Sequence, residues 1–423
     1  MKITQQRGEN KMQNENKKFS YFQWVKNKIL MDMTFQEYCR SLITPFNIIA
    51  GILVLIGLYF VILRFTLGLY TVTHASHDIP WGLFLGWGLF GGVPLSATGF
   101  VISTAYYIFG YKGLQTQVRL SYLTGFLGYL FAVIFLLVDL GRPWRIYYPM
   151  ILGFGTASVL FLIAWHVALY LSVQFLEFST TLTEWLEMKR VRHWAMIMTI
   201  GLTIAGIILS TLHQSALGAM YLLAPGKLHP LWYTPYIWIL YLCSSIYAAL
   251  CMMIFVSMLV NRYMRHVTDN SFLKNVPWQT LGYAKAAAIT MFVYFILKLI
   301  GVTHSNNWNL LNTGYGYWFL LEVMGFVLIP AVILSYAVKK RNLFIARFGA
   351  IYGLVGIILN RLNVSIFVLN WQMPGHLEHI IPPMPEVAVV LGISTFHILL
   401  FRWILNRMPV TRTLPEYSGE KAH

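Results

Sequence analysis

The chain has 423 residues, of which 57% are hydrophobic and 11% are charged. Soluble domains carry about 25% charged residues, so this composition excludes a globular protein surrounded by water. A formal net charge of +16 is also typical of nucleic-acid-binding proteins, but most of these charges lie between long apolar runs. We therefore expect membrane lipid, and no nucleic acid, among the partners.

Apolar runs follow one another along the chain, and each is about as long as the 20 residues that a helix needs to cross a bilayer. They are continuous, whereas the strands of a membrane barrel alternate apolar and polar residues. The predicted fold class is thus all-α, a polytopic membrane helix bundle of about ten transmembrane helices. The predicted spans, numbered 1 to 10 in chain order, are residues 46–70, 81–110, 118–138, 150–175, 195–222, 234–260, 281–302, 315–338, 344–370 and 385–405.

Lysine and arginine residues sort to one side of these spans. They are frequent in the N-terminal tail, in alternate loops and in the C-terminal tail, whereas the remaining loops hold only Arg142, Arg145 and Lys227. By the positive-inside rule, both termini are cytoplasmic. The predicted domains are a basic tail (1–45), a transmembrane domain (46–405) and a C-terminal tail (406–423). The first 45 residues have no early apolar core, so we expect no cleavable signal peptide.

The three cysteines form no Cys-x-x-Cys or Cys-x-x-Cys-His motif. We therefore expect no iron–sulfur cluster and no covalently attached haem in this chain. A metal site is not predicted either, and no Walker loop or dinucleotide-binding motif occurs.

Ionisable and amide side chains interrupt the apolar spans. A charge at the bilayer centre costs about 2.5–3.5 kcal/mol on insertion scales, so such residues usually have a function. With a rise of about 1.5 Å per residue, most of them fall in the outer half of the bilayer. They are Arg64, Asp139, His213, Gln214, Lys298, Glu322, Asn360, Arg361 and Asn363. Any one of them could have a purely structural role, such as an ion pair between helices, and Arg64 or Lys298 could extend to the surface. Together, however, they predict a buried polar pocket.

The inner half holds fewer such residues. His166 and His397 are predicted past the middle of spans 4 and 10, where each is either a hydrogen-bonded core residue or part of an inner proton relay. Haem b needs two histidines at matching depth on facing helices. Because His213 is predicted in the other half, we expect no haem.

The outer loops are short and rich in Trp, Tyr, Pro and His. They read LVDLGRPWRIYYP, GKLHPLWYTPYIW, WNLLNTGYGYW and LNWQMPGHLEHIIPPMPE. An aromatic belt at the membrane surface and a docking surface for a second protein both account for this composition. The docking candidates are Arg142, Arg145, Lys227, His229 and Trp232.

Four segments carry a family resemblance. IPWGLFLG, VDLGRPWR, HQSALGAMYLLAPGKLHPLWYTP and GIILNRLNVSIF resemble the NrfD/polysulfide-reductase family of membrane subunits, and within it the HybB-like branch of membrane-bound hydrogenases. The resemblance extends from about residue 45 to residue 410. It implies a multi-pass subunit of the bacterial cytoplasmic membrane with no redox cofactor of its own. It also implies an extracytoplasmic ferredoxin-like iron–sulfur subunit, a catalytic subunit, and menaquinone or ubiquinone as the substrate bound near the same face.

Quinone reduction delivers electrons and protons to two carbonyl oxygens, which suits the residue types found. Asp139 and His213, with Gln214 beside it, are the candidates for carbonyl contact or proton transfer. Arg361 would hold negative charge that develops on the quinone, and Asn360 and Asn363 would orient it. We expect Glu322 to balance Arg361 or to pass protons.

The chain departs from the HybB-like pattern at three positions. Gly88, Leu162 and Val256 stand where that branch carries intramembrane carboxyl groups. We therefore expect no such proton route from the cytoplasm, unless His166 substitutes, and expect the quinone protons to come from the outer side.

Two other functions fit the same residues. Buried charges and ten spans are also typical of secondary transporters, whose helices are broken near the substrate, as GGVPLSATG around Pro94 could be. A structural anchor that has lost quinone binding is the third hypothesis.

Overall fold

The computed structural model describes residues 21–76, 80–374 and 380–414. Within them, ten helices are long and apolar enough to cross a membrane, and no strand occurs apart from an isolated antiparallel bridge between Leu228 and Leu369. The prediction of an all-α bundle of about ten spans is confirmed. The spans are Pro45–Leu67, Phe84–Ile108, Lys112–Asp139, Val159–Trp185, Lys189–Leu223, Ile237–Tyr263, Asn270–His304, Gly314–Lys340, Leu343–Phe367 and Met384–Arg407.

The connections between the spans define two faces. We call the face that carries residues 68–76, 80–83, 140–158, 224–236, 305–313, 368–374 and 380–383 the aromatic face. The basic face carries the connections 109–111, 186–188, 264–269 and 341–342. These names describe composition alone, and which face is cytoplasmic stays a prediction.

The chain divides into two compact units, Met1–Ile52 and Leu53–His423. The first holds the short helices Tyr21–Lys28 and Phe35–Leu42. The second helix begins with a capping box, in which the Glu37 backbone N–H donates to Thr34 Oγ1 and the Thr34 N–H to the Glu37 carboxylate. The predicted tail boundaries at residues 45 and 406 stay predictions, and the parts of the tails at residues 1–20 and 415–423 lie outside the described residues.

Span 4 departs from its predicted position. It was predicted over residues 150–175 and runs Val159–Trp185. The short helix Tyr148–Ile151 and a turn containing Gly153 occupy the expected start, and Ser158 begins the span by accepting the Phe161 N–H. His166 therefore lies about two turns from the aromatic-face end, and its prediction past the middle of the span was wrong.

Three of the spans contain π-helical turns, which are wider than α-helical turns and often occur at functional sites. Span 2 is irregular throughout, with π segments Phe84–Gly91 and Thr104–Ile108 on either side of a break after Leu95. Spans 8 and 9 contain the π segments Leu321–Leu328 and Asn363–Phe367.

Spans 2, 3 and 6 are the most buried. In their most apolar stretches 72%, 67% and 67% of the residues are buried, against 11% for span 1. Span 1 contacts span 10 through glycine: a Cβ on Gly57 would lie 2.7 Å from Gly392 Cα. Small residues let two helix backbones approach closely in lipid, where apolar side chains alone give little driving force.

We expect Gly57→Leu to weaken the contact between spans 1 and 10, because the new side chain must push two backbones apart. Overpacking of this kind costs about 1–3 kcal/mol, so thermal unfolding in mild detergent should occur at a lower temperature. The matched control is Gly51→Leu on the same helix, where a Cβ would meet nothing within 4 Å. Equal destabilisation of both variants would show that the contact with Gly392 is not responsible.

Candidate functional site

The Glu322 carboxylate is completely buried in the π segment of span 8. Trp232 Nε1 donates to its Oε2 over 2.7 Å, and Asn360 Nδ2 donates to its Oε1 over 2.7 Å. Asn363 Nδ2 also donates to Oε2, and Lys298 Nζ lies 3.8 Å from Oε1. Donors from the loop after span 5, from span 7 and from span 9 thus converge on one carboxylate.

The packing of spans 8 and 9 explains how the asparagines reach it. Asn360 and Asn363 are three residues apart, which places them on one helix face, and Gly356 lies one turn earlier. A Cβ on Gly356 would overlap the backbone oxygen of Phe326 in span 8. The glycine therefore allows the close approach that brings Glu322 within reach.

Arg361 is also buried, with 1% of its surface exposed, but it points to span 6. Its Nη2 donates to Ser244 Oγ over 2.6 Å and to the Tyr241 backbone oxygen over 3.3 Å. The guanidinium carbon lies 3.6 Å from the Tyr241 ring centroid, a cation–π contact. No carboxylate of the described residues lies within 4 Å, so Glu322 does not form a direct ion pair with Arg361, and its alternative role in passing protons stays a prediction. The ion pair is with Lys298, which does not extend to the surface.

Several buried polar atoms around Arg361 have no hydrogen-bond partner among the described residues. They are Arg361 Nε and the hydroxyls of Tyr241 and Tyr247. Buried polar groups are almost always paired, and an exception requires an explanation such as a further ligand. The charges point the same way, because the Glu322 carboxylate pairs with Lys298 and leaves the charge of Arg361 without a carboxylate partner among the described residues.

His213 and Gln214 form a second group. His213 Nδ1 is 2.8 Å from the Leu209 oxygen, which makes Nδ1 the protonated nitrogen, and Nε2 is 2.5 Å from the Tyr129 hydroxyl. Gln214 Nε2 donates to the same hydroxyl over 3.1 Å and to the Val93 oxygen over 3.2 Å. Within the described residues, no hydrogen bond, ion pair or ring contact joins this group to Glu322 or Arg361.

An aromatic cluster lies beside the Arg361 group. Tyr221 lies 6.0 Å from the ring of Tyr241 on one side and 6.0 Å from that of Trp81 on the other, and Phe90 completes the cluster at 5.2 Å from Trp81. Tyr221 itself is held by its bond to the Val364 oxygen. The rings form an aromatic cluster that contacts Tyr241, the residue on which the Arg361 guanidinium stacks.

A row of polar side chains continues from His213 toward the basic face. Most of these residues were not predicted from the sequence. The Tyr129 ring lies 4.7 Å from the Tyr170 ring, and Gln174 donates to the Tyr170 hydroxyl. Glu177 follows one turn later, 3% exposed, and accepts from Thr203 Oγ1 over 3.4 Å. The signal was available, since an N-cap at Ser158 shifts span 4 far enough to place Glu177 inside the bilayer.

Asp139 belongs to a third group. It ends span 3 within electrostatic range of Arg64 and Glu386. Arg64 does not extend to the surface: it is 3% exposed and donates to the Val138 and Leu140 backbone oxygens at the end of the same span. Glu386 accepts the Leu83 and Phe84 N–H groups at the start of span 2. These contacts tie helix ends together, and Asp139 is not brought to Glu322 or His213.

The predicted inner relay is not assembled. The His397 ring stacks on Phe131 at 4.4 Å between centroids, whereas His166 lies nearer the aromatic face and its Nδ1 has no partner in the described part of the chain. No hydrogen bond or ring contact in the described part of the chain joins the two histidines.

The docking candidates divide by exposure. Arg142, Arg145 and Lys227 are exposed on the aromatic face, whereas His229 and Trp232 are 3% and 0% exposed. The His229 ring lies tilted against Tyr315 and edge to face against Trp371, at 4.7 and 4.6 Å between ring centroids. Burial lowers the pKa of His229 to about 4, so its ring is neutral near pH 7 and Nδ1 accepts the Leu231 N–H.

This arrangement, ten spans with a buried ionic cluster at the aromatic-face ends of spans 7 to 9, defines a polytopic membrane protein with an internal polar site. Residues 71–370 match the family described as "Polysulphide reductase, NrfD". The chain belongs to this family, as the resemblance implied.

Three relatives cover most of the chain. A protein of Nitratidesulfovibrio vulgaris (strain Hildenborough) is 41% identical over 90% of this chain and 97% of its own. The "Probable Ni/Fe-hydrogenase 2 b-type cytochrome subunit" of Escherichia coli (strain K12) is 25% identical over 87% and 93% of the two chains. The "Menaquinone reductase, integral membrane subunit" of Nitratidesulfovibrio vulgaris is 25% identical over 70% and 75%.

The Escherichia coli name implies haem b, and the histidines here do not fit it. Both nitrogens of His213 are already bonded, to Leu209 and Tyr129, so neither is free to ligate iron. The original ground for expecting no haem was wrong, because His166 and His213 lie in the same half of the bundle. The described residues contain no group of three or more His, Cys, Asp and Glu side chains that could hold a metal ion, and the absence of haem and metal stays a prediction.

We expect Lys298→Met to destabilise the protein strongly, because it leaves the Glu322 carboxylate buried among neutral donors only. Removing one partner of a buried ion pair costs about 3–5 kcal/mol, which a thermal unfolding curve in detergent would register. Adding Glu322→Gln should recover much of the loss, because the neutral amide carries no charge to bury.

The matched control is Lys285→Met, which removes an exposed lysine from the same span. The ion-pair assignment is contradicted if Lys298→Met lowers the midpoint no more than Lys285→Met does.

Proposed function

We propose that this chain is the quinone-reactive membrane subunit of a multi-subunit oxidoreductase complex in the bacterial cytoplasmic membrane. It anchors a ferredoxin-like iron–sulfur subunit on the aromatic face, which is the extracytoplasmic one by the lysine and arginine distribution. That subunit exchanges electrons with a catalytic subunit. Menaquinone or ubiquinone is the substrate, and the name of the menaquinone reductase relative supports this substrate class.

The buried, unpaired charge of Arg361 carries this proposal. A buried cation is expensive unless it is paired and hydrogen-bonded, and Arg361 has a stacked ring, a hydroxyl and a carbonyl but no carboxylate. Its free Nε and the Tyr241 hydroxyl are donors that an additional acceptor would satisfy. A quinone carbonyl is such an acceptor, and its negative charge grows on reduction.

Each group then has a role that its contacts support. Arg361 and Tyr241 hold one quinone oxygen, and the rings of Tyr221, Trp81 and Phe90 exclude water. The amide nitrogens of Asn360 and Asn363 are bonded to Glu322, so they position the carboxylate rather than the substrate. Because the nearest cation to Glu322 is Lys298, that pair can exchange a proton without leaving a bare buried charge.

The exposed part of the aromatic face supports partner docking. Arg142 and Arg145 lie in a loop whose Trp144, Ile151 and Phe154 are 67%, 70% and 61% exposed. Aromatic and arginine side chains are enriched in protein interfaces. We propose this loop, with Lys227, as the contact for the iron–sulfur subunit. His229 and Trp232, in the same loop as Lys227, are buried and therefore do not face a partner.

Arg361→Gln should lower the rate of quinone reduction by the complex about 100-fold, as expected for the loss of a buried donor at a developing negative charge. The complex should still assemble, which copurification with the iron–sulfur subunit measures. Arg347→Gln, toward the basic-face end of the same span, is the control and should leave the rate unchanged.

A variant that assembles and retains the wild-type rate contradicts the proposal and favours a structural anchor. Tyr241→Phe provides a second readout if Arg361→Gln does not assemble. It keeps the ring under the guanidinium, removes only the unpartnered hydroxyl, and should raise the KM for quinone.

Proton supply is a separate part of the proposal. The outer-side expectation depended on the missing carboxyl groups at positions 88, 162 and 256, and Glu177 now supplies a carboxylate near the basic face. We propose that protons pass from Glu177 through Gln174, Tyr170 and Tyr129 to His213, with water completing the steps that no direct contact bridges.

Vesicles in which only one face is exposed to a pH indicator should show proton uptake from the basic face during quinone reduction. Glu177→Gln should slow this uptake about tenfold or more, whereas Glu187→Gln, an exposed carboxylate on the same face, should not. Uptake from the aromatic face with normal rates in Glu177→Gln would restore the outer-side route.

A further inference from the structure

A cavity of about 1030 Å³ opens at the basic face, on the opposite side of the bundle from Arg361. Its walls come from the basic-face ends of spans 2, 3, 4, 5 and 7 and from the segment Val410–Thr413 that follows span 10. None of its residues takes part in the proposed quinone site. The cavity therefore requires its own explanation.

Its rim is cationic. Arg119, Lys189, Arg192 and Arg412 line it, and His193 adds a fifth nitrogen-bearing side chain. Two carboxylates oppose them: Asp269 in the lining, and Glu184, which binds Arg119 at 2.7 Å and Arg192 at 3.5 Å. An excess of positive charge remains, and span 5 begins at Lys189, so its N-terminal N–H groups favour an anion at the same place.

One wall of the cavity is apolar and faces lipid. Met196, Ile197 and Ile200 follow Lys189 along span 5 and line the cavity. Ile197 and Ile200 are 60% and 52% exposed, as residues facing the hydrocarbon are. A cationic rim at the membrane surface beside an apolar wall inside it matches the two ends of a phospholipid, whereas a soluble anion would use only the rim.

A buried hydroxyl points to an occupant as well. Tyr122 lines the cavity nearly three turns above the start of span 3 and is 3% exposed. Its hydroxyl makes no hydrogen bond of ordinary geometry within the described residues, and the Glu177 carboxylate and the Thr203 hydroxyl lie near it. Such a group normally finds an acceptor. The ester or glycerol oxygens of a lipid headgroup are acceptors at that depth.

We propose that this cavity binds one anionic phospholipid from the leaflet at the basic face. The phosphate lies among Lys189, His193 and Arg412, the glycerol region reaches Tyr122, and the acyl chains lie along Ile197 and Ile200. Basic pockets between spans are typical binding sites for anionic headgroups, with each Lys or Arg contributing to the attraction. This assignment is independent of the proposed function, since no residue is shared.

The test compares lipid retention and thermal stability of the protein in its purified complex. Mass spectrometry after mild-detergent purification should find phosphatidylglycerol or cardiolipin bound to the wild type. The double variant Lys189→Gln, Arg412→Gln should retain roughly tenfold less of it. The control Lys339→Gln, Lys340→Gln removes two charges from the same face outside the cavity and should retain the wild-type amount.

In nanodiscs of phosphatidylcholine, added phosphatidylglycerol should raise the unfolding temperature of the wild type and of the control, but not of the cavity variant. Equal retention in the cavity variant and the control would overturn the proposal. A second result would also overturn it: inorganic phosphate, added to the wild type in phosphatidylcholine nanodiscs, raises the unfolding temperature as much as phosphatidylglycerol does. The cavity would then bind a free anion rather than a lipid. Lys189→Gln alone serves if the double variant does not accumulate.

Discussion

Burial of the Glu322 carboxylate sets the geometry of the aromatic-face half of the bundle. A carboxylate in that environment is tolerable only when its oxygens are hydrogen-bonded and its charge is balanced. Trp232, Lys298, Asn360 and Asn363 supply these contacts from a loop and two spans. The requirement restricts how far spans 7, 8 and 9 can rotate or slide. Because Arg361 follows Asn360 directly, the same contacts also decide that its side chain faces span 6.

Local irregularity makes this convergence possible. Glu322 and Asn363 lie in π-helical turns, where the wider helix changes the direction of side chains relative to a regular α-helix. Gly356 removes the side chain that would otherwise separate spans 8 and 9. Pro330, just after the π segment of span 8, has no N–H to donate, which is compatible with a shifted hydrogen-bond pattern. The site is therefore built from departures from ideal helix geometry.

Hydropathy and depth along a helix were enough to predict the ten spans and the shared level of Glu322, Asn360 and Asn363. They were not enough to predict partners, because depth gives neither helix rotation nor lateral position. Arg361 was assigned to Glu322 for that reason, and Asp139 was grouped with residues that lie elsewhere in the bundle.

The error in the predicted start of span 4 affected the predicted proton-transfer residues more than the missing partners did. It put His166 too deep and left Glu177 outside the bilayer, so the inner half looked poorer in carboxylates than it is. The N-cap at Ser158 marks the true start of span 4, whereas the apolar run before it favours an earlier start. The π segments carry no comparable signal, since their apolar composition is that of any membrane helix.

The unequal pairing of the two buried cations has a consequence for the proposed substrate. Lys298 and Glu322 form a nearly neutral pair, whereas Arg361 is stabilised by a ring face and neutral oxygens. Such contacts satisfy the guanidinium only in part and leave its field uncancelled in a low-dielectric region. A ligand beside it is therefore stabilised more strongly when it carries added electron density than when it does not. On the proposed function, the site favours the reduced ligand before protonation is complete, so electrons can arrive first and protons can follow.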